Sequence, residues 1–193
     1  MLRTSGLNAH SLGSVTGPTH RVLSETEVLA RLRNKRGQPG YLAMFSSWLG
    51  GVVTDPALMQ IPLDDHLVHR GHGVFDTCTL SGGRLYRLGI HIDRLLTSAA
   101  LARIEHSWTK EDLIQMVMDT ASHAGITDGA VRYWLSAGPG GFSPSPQECD
   151  EACFYCVILD PMPLGGANSD PMSSGIPEAT VSDIFMKPPL LAT

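Results

Sequence analysis

The sequence has no apolar run close to the length of about 20 residues that a helix needs to span a bilayer. It also lacks an excess of basic residues, since its 193 residues carry a formal net charge of −5. That balance offers no basic field for nucleic acid. We therefore expect a soluble globular protein without membrane or nucleic-acid partners, and the hydrophobic content of 42% is ordinary for that class.

Cysteine is scarce, with four residues, and no apolar secretory segment stands at the start of the chain. This usage predicts free thiols in a reducing compartment. Residues 1–34 are rich in Ser, Thr, Arg and His and contain no acid before Glu25. They admit two interpretations, a disordered or helical arm and a weak organelle transit peptide.

Composition divides the chain into three parts. Residues 1–40 are predicted to be a flexible arm and linker, with a short helix capped by Ser24 and Glu27. Residues 41–160 carry the apolar periodicity of a folded domain. Residues 161–193 begin with a Pro-, Gly- and Ser-rich stretch that is typical of a linker.

Within the domain, two helices and several strands are predicted. The first helix covers residues 88–102, and the second covers residues 109–124, opened by a capping box at Thr109. The Gly82-Gly83 pair predicts a tight hairpin between two of the strands. The predicted strands cover residues 41–48, 51–54, 74–80, 84–86, 130–137 and 152–159, with a further candidate at 179–184. The fold class is therefore α+β, a mainly antiparallel sheet with two helices on one face.

Two groups of polar residues invite a functional interpretation. Arg94 lies beside the apolar stripe of the first helix, where its guanidinium can hold a phosphate with a fixed fork of donors. The alternative is an ordinary surface arginine. His66, His69 and His72 could ligate zinc, although Gly71 and Gly73 argue against the regular helix that would bring the rings together.

Cys153 and Cys156 lie three residues apart in a predicted apolar strand, so their side chains should point to opposite faces of the sheet. No second cysteine pair stands at the spacing of a zinc site. We therefore predict no metal site, and buried free thiols are expected instead.

The order of these motifs resembles one known family. The matching residues are Asp65, 69–76 (HRGHGVFD), 91–95 (HIDRL), 44–47, 50–53, Arg132 and 138–141. They resemble the small N-terminal domain of the class-IV, fold-type IV pyridoxal-phosphate enzymes, nearest to the plant-type D-amino-acid aminotransferases and aminodeoxychorismate lyases. The resemblance implies pyridoxal 5′-phosphate as cofactor, an amino acid or aminodeoxychorismate as substrate, and a homodimer. The location stays open between plastid and cytoplasm.

The resemblance also implies roles for single residues. Arg94 matches the arginine that binds the cofactor phosphate, and Phe75 and Asp76 match a strand that borders the active site. Phe75 stands where some D-amino-acid enzymes have a tyrosine that meets the substrate carboxylate, and it is otherwise a core residue. Arg132 either faces the substrate, as in branched-chain enzymes, or pairs with an acid. The Arg-x-His carboxylate trap of the bacterial D-amino-acid enzymes is absent from residues 138–146.

The chemistry of this family requires a lysine, and the sequence contains three lysines, Lys35, Lys110 and Lys187. The resemblance implies that the Schiff-base lysine would stand a few residues beyond Thr193, so no catalytic residue is assigned within the chain. We expect a truncated family member that does not turn over substrate. The alternative is a non-catalytic interaction module that pairs with full-length relatives, and a weaker third hypothesis is a metal-binding module.

Overall fold

A six-stranded antiparallel sheet forms the centre of the computed structural model, which describes residues 20–35, 40–143 and 145–161. In spatial order the strands run β2-β1-β6-β5-β3-β4. Their bounds are β1 Tyr41–Ser46, β2 Gly51–Val53, β3 Gly73–Ser81, β4 Arg84–Leu85, β5 Gly129–Ser136 and β6 Cys153–Leu159. All pairings between them are antiparallel.

Four α-helices accompany the sheet in the described part of the chain. They are α1 Glu25–Lys35, α2 His66–His69, α3 Leu88–Leu101 and α4 Lys110–His123, with short 3₁₀ turns at Pro56–Leu58 and Pro146–Glu148. The predicted capping box is present, because Thr109 Oγ1 accepts from Asp112 N and Asp112 accepts from Thr109 N. None of these helices combines the length and apolar character that crossing a membrane requires.

The predicted hairpin is formed by β3 and β4, which pair Leu80 with Leu85 and Ser81 with Arg84. Gly82 and Gly83 both have positive φ, at 54° and 72°, as a tight two-residue hairpin turn requires. The structure ends β1 at Ser46 rather than at residue 48, because the chain turns there and Gly50 N donates to the Ser46 carbonyl.

Both long helices pack on one face of the sheet, as predicted. The apolar stripe of α3 and the buried side of α4 belong to one core cluster with the inward side chains of the central strands. That cluster includes Leu88, Ile92, Leu95, Ala99, Leu113, Val117, Val131, Tyr133, Leu135, Phe154, Cys156 and Ile158. The fold-class prediction, α+β with a mainly antiparallel sheet and helices on one face, is confirmed.

A second, smaller cluster covers part of the opposite face and is made by Met44, Met59, Cys153, Tyr155 and Val157. Strand alternation separates the two clusters along β6, so Cys153 and Cys156 point to opposite faces as predicted.

Asp65, one of the residues that carry the family resemblance, is fully buried. It caps α2 by accepting from Leu67 N at 2.8 Å. It also accepts from Tyr155 Oη at 2.6 Å and from Ser136 Oγ. A buried carboxylate with three donors therefore holds the α2 corner to the ends of β5 and β6.

Several sequence-based expectations lie outside the described residues. These are the strand at 179–184, the position of Lys187 and most of the proposed linker. The division into an arm, a domain at 41–160 and a C-terminal segment stays a prediction.

Candidate functional site

Two polar residues of α3 face strand β3. His91 and Arg94 stand three positions apart, which places them side by side on a helix surface. They flank the apolar stripe whose Ile92 and Leu95 are buried in the core. Packing of that stripe therefore fixes the helix so that His91 and Arg94 reach the edge of the helix–sheet interface.

Asp76 meets both residues from β3. Its Oδ1 accepts from Thr77 N at 2.7 Å and lies 3.3 Å from His91 Nδ1. Its Oδ2 lies 3.5 Å from Arg94 Nε, which is an ion-pair distance without hydrogen-bond geometry. Asp76 is buried, whereas the Arg94 side chain is 67% exposed. Arg94 therefore has its Nε side next to the buried Asp76 carboxylate and its outer end in solvent.

Tyr133 stands directly across from Asp76 in the β3–β5 register. It is fully buried, and its Oη has no hydrogen-bond partner among the described residues. Burial first, and then electrostatic interactions with Cys78 and Asp76, raise the pKa of Tyr133 well above its usual value. The charge of Arg94 acts on that pKa in the opposite direction, but burial has the larger effect, so the phenol stays protonated.

Phe75 and Arg132 lie on the opposite face of the sheet from Asp76 and Arg94, because successive strand residues point to alternate faces. Phe75 is exposed rather than core. The guanidinium carbon of Arg132 stands 5.5 Å from the centre of the Phe75 ring, and Arg132 Nε donates to Thr77 Oγ1 at 3.3 Å. No acid pairs with Arg132 among the described residues. The predicted site residues thus form two pairs, one on each face.

The three spaced histidines bind three different carbonyls. Nε2 of His66 donates to Gly141 O, that of His69 to Asp64 O and that of His72 to Ala102 O. In the described ranges, no group of His, Cys, Asp and Glu side chains is arranged to hold a metal ion. These histidines therefore hold loops in place. Arg70 has the same role, because its Nη2 donates to the Phe142 carbonyl at 3.0 Å.

Four free thiols match the expectation from cysteine usage. Cys78, Cys153 and Cys156 are buried, and Cys149 is half-buried. Burial raises the pKa of Cys78 to about 11, with a further contribution from Asp76. The same cause raises the pKa of Cys156. These side chains act as small apolar core residues.

No described lysine stands beside Arg94. Lys110 is held by Asp93 at 2.7 Å on another side of α3, and Lys35 ends α1. A cleft of about 330 Å³ lies near the end of α3 and is lined by residues that include His72, Arg103 and Glu151, but not by Arg94.

Sequence reasoning did not single out Tyr133, Ser136 or Tyr155 as polar partners. The three residues stand in strands that read as apolar. Strand alternation does place Asp76 on the same face of β3 as Val74, Cys78 and Leu80, and Phe75 on the other face. The sequence therefore indicates that Asp76 and Phe75 point to opposite faces.

The fold and these matched motifs define a class-IV aminotransferase domain. A family model described as amino-transferase class IV matches residues 73–189, which is more than half of the chain. The chain belongs to this family.

Two curated relatives extend the match. A chloroplastic D-amino-acid transaminase of Arabidopsis thaliana is 45% identical over 172 residues, covering 89% of the chain and 44% of the relative. A putative branched-chain-amino-acid aminotransferase of Methanocaldococcus jannaschii is 30% identical over 135 residues, covering 70% of the chain and 45% of the relative. The chain therefore spans less than half the length of these relatives.

Solved structures agree on the fold. The branched-chain aminotransferase of Thermoproteus uzoniensis with norvaline superposes with a TM-score of 0.55 at 21% identity, covering 64% of this chain and 41% of that one. The branched-chain amino acid aminotransferase from Escherichia coli gives a TM-score of 0.56 at 18% identity, with the same coverage. The fold is shared with the N-terminal part of the fold-type IV enzymes.

Proposed function

We propose that this chain is the N-terminal, phosphate-binding part of a pyridoxal-phosphate-dependent class-IV aminotransferase that acts on D-amino acids. Membership of the family supports the reaction class. The 45% identity to a D-amino-acid transaminase supports the substrate class. That relative is chloroplastic, so we also propose a plastid location.

The observation that carries the proposal is the geometry of Arg94. Its Nε faces Asp76 at 3.5 Å, and its terminal nitrogens make no hydrogen bond within the described part of the chain. A guanidinium that is held at one side and open at the other fits a phosphate dianion, which takes two parallel N–H donors. The residues present therefore fit the phosphate of the cofactor.

Pyridoxal phosphate supplies an electron sink for the carbanion at the amino acid α-carbon when it is bound. In our proposal Arg94 binds its phosphate and Asp76 sets the direction of Arg94. Phe75 and Arg132 are proposed to meet the substrate from the other face of the sheet, where the Arg132 cation suits a carboxylate. Phe75 has no donor, so it contributes an apolar wall.

We further propose that the 193-residue chain by itself does not complete a turnover. Chemistry of this class uses a lysine that holds the cofactor and moves a proton. Of the lysines among the described residues, Lys110 is engaged with Asp93 and Lys35 is at the end of α1. The third lysine, Lys187, lies outside the described residues. The same observation favours a second candidate function, a non-catalytic module that pairs with full-length relatives through the dimer contact of the family.

The proposal is tested by comparing pyridoxamine 5′-phosphate with pyridoxamine in calorimetric titrations. These ligands differ by the phosphate and lack the aldehyde that would label lysines at random. Wild-type chain should prefer the phosphorylated ligand. Arg94→Ala should reduce that preference by about 1.5–3 kcal/mol, the scale of a charged hydrogen-bonding partner, which is roughly 10- to 150-fold in affinity.

Arg31→Ala is the matched control, because Arg31 is an exposed arginine on α1, and α1 packs on the 3₁₀ turn at Pro56–Leu58 whereas α3 packs on β3 and α4. It removes the same charge and should leave the preference unchanged. Equal preference in wild type and Arg94→Ala would contradict the proposal.

A further inference from the structure

Asp76 is the polar member of a row that is otherwise apolar. Along the helix-facing side of β3 its neighbours Val74, Cys78 and Leu80 belong to the core or pack against it. Burying a carboxylate is costly unless partners compensate. Its presence here calls for a role that an apolar residue could not fill.

The two carboxylate oxygens have different partners. Oδ1 is occupied by Thr77 N and faces His91 Nδ1. Oδ2 makes no hydrogen bond among the described residues and lies 3.5 Å from the Nε of Arg94. One oxygen therefore fixes the carboxylate in place, and the other is left for the arginine.

The side of the Arg94 guanidinium that faces Asp76 determines which of its N–H groups remain free to bind a ligand. An approach at Nε leaves the Nη1–Nη2 edge free, and that edge can bind an anion such as a phosphate through two parallel N–H donors. Most of the Arg94 side chain is exposed, and among the described residues its guanidinium makes no hydrogen bond and no ion pair other than the one with Asp76.

We propose that Asp76 is a positioning residue for Arg94: it holds the guanidinium by Nε, with His91 steadying the carboxylate, so that the Nη edge faces an incoming phosphate. This rests on the proposed function, in which Arg94 is the phosphate ligand. A merely structural Asp76 would satisfy Thr77 N and His91 and leave Arg94 as mobile as any surface arginine.

Side-chain NMR of arginine Nε–Hε groups separates these roles without any cofactor. In wild type the Arg94 signal should show a higher heteronuclear NOE and slower exchange with water than the signal of exposed Arg31. Asp76→Asn keeps the shape of the side chain and its acceptor for Thr77 N. It should move the Arg94 signal to the values of Arg31.

Asp93→Asn is the matched control, since it removes the same charge next to Arg94 in sequence but breaks an ion pair with Lys110. It should leave the Arg94 signal unchanged. In the titrations, Asp76→Asn should weaken pyridoxamine 5′-phosphate by about two- to fivefold, the scale of an ion pair with one partner exposed to solvent. Its affinity for pyridoxamine should not change.

The inference would be overturned if the Arg94 signal of the wild type had the same heteronuclear NOE and water exchange rate as the Arg31 signal. This measurement uses the wild-type chain, so it does not depend on the folding of any variant. An unchanged Arg94 signal in Asp76→Asn would overturn it too, even if Arg94→Ala abolishes the phosphate preference and the proposed function stands. If Arg94→Ala leaves the preference intact, the proposed function fails, and the role of Asp76 toward phosphate fails with it.

Discussion

Replacing Asp65 by alanine should be one of the most damaging single changes in the described part of the chain. The buried carboxylate accepts from Leu67 N, Tyr155 Oη and Ser136 Oγ. Loss of the helix cap costs about 1 kcal/mol. Each buried hydroxyl left without its acceptor costs at least about 1 kcal/mol. The expected loss in the free energy of unfolding is therefore about 3 kcal/mol.

The assay is urea unfolding followed by tryptophan fluorescence, with an unchanged m-value as the sign that only stability has moved. Asp64→Ala is the control, because the Asp64 side chain makes no hydrogen bond or ion pair among the described residues, and it should cost within about 0.5 kcal/mol. Tyr155→Phe completes a double-mutant cycle. The double variant should lose about 1 kcal/mol less in the free energy of unfolding than the sum of the two single variants. An Asp65→Ala loss no larger than that of Asp64→Ala would refute the reasoning.

Three further predictions concern the rest of the chain. Thr109→Ala should cost about 1 kcal/mol through loss of the capping box of α4, whereas Thr97→Ala, an exposed mid-helix change, should cost clearly less in the same urea assay. Because burial raises the pKa of Cys78 to about 11 and also raises that of Cys156, a thiol reagent at pH 8 should find these two thiols protonated and shielded. Cys78 and Cys156 should react rapidly only in denaturant, and fast labelling of either thiol in native protein would contradict this. Finally, the chain with pyridoxal phosphate should show no turnover of D-alanine plus 2-oxoglutarate or of aminodeoxychorismate above the cofactor background, and activity that disappears on Lys187→Ala would show that the lysine assignment is wrong.

Much of the fold follows from local patterns. The apolar spacing from Leu88 to Ala99 and the capping box at Thr109 placed both helices within one or two residues of their observed bounds. Gly82-Gly83 placed the hairpin. These features depend on neighbours within one or two turns of the chain, so the sequence shows them directly.

The contacts of the polar residues were harder to predict from the sequence than the fold, because they join segments that are far apart along the chain. Asp65 looks like a turn residue until Ser136 and Tyr155, 71 and 90 residues further on, are brought against it. The separation of Asp76 from Phe75 follows from strand alternation, but the face that the helices cover is decided by packing. The partnership of Asp76 with Arg94 therefore emerges from the structure alone.

A crystal structure of the chain with pyridoxamine 5′-phosphate tests the central claim most directly. The account predicts phosphate oxygens within about 3 Å of the Arg94 terminal nitrogens, with Nε still facing Asp76. Phosphate density at another place, such as the cleft beside Arg103, with Arg94 left in solvent, would contradict it.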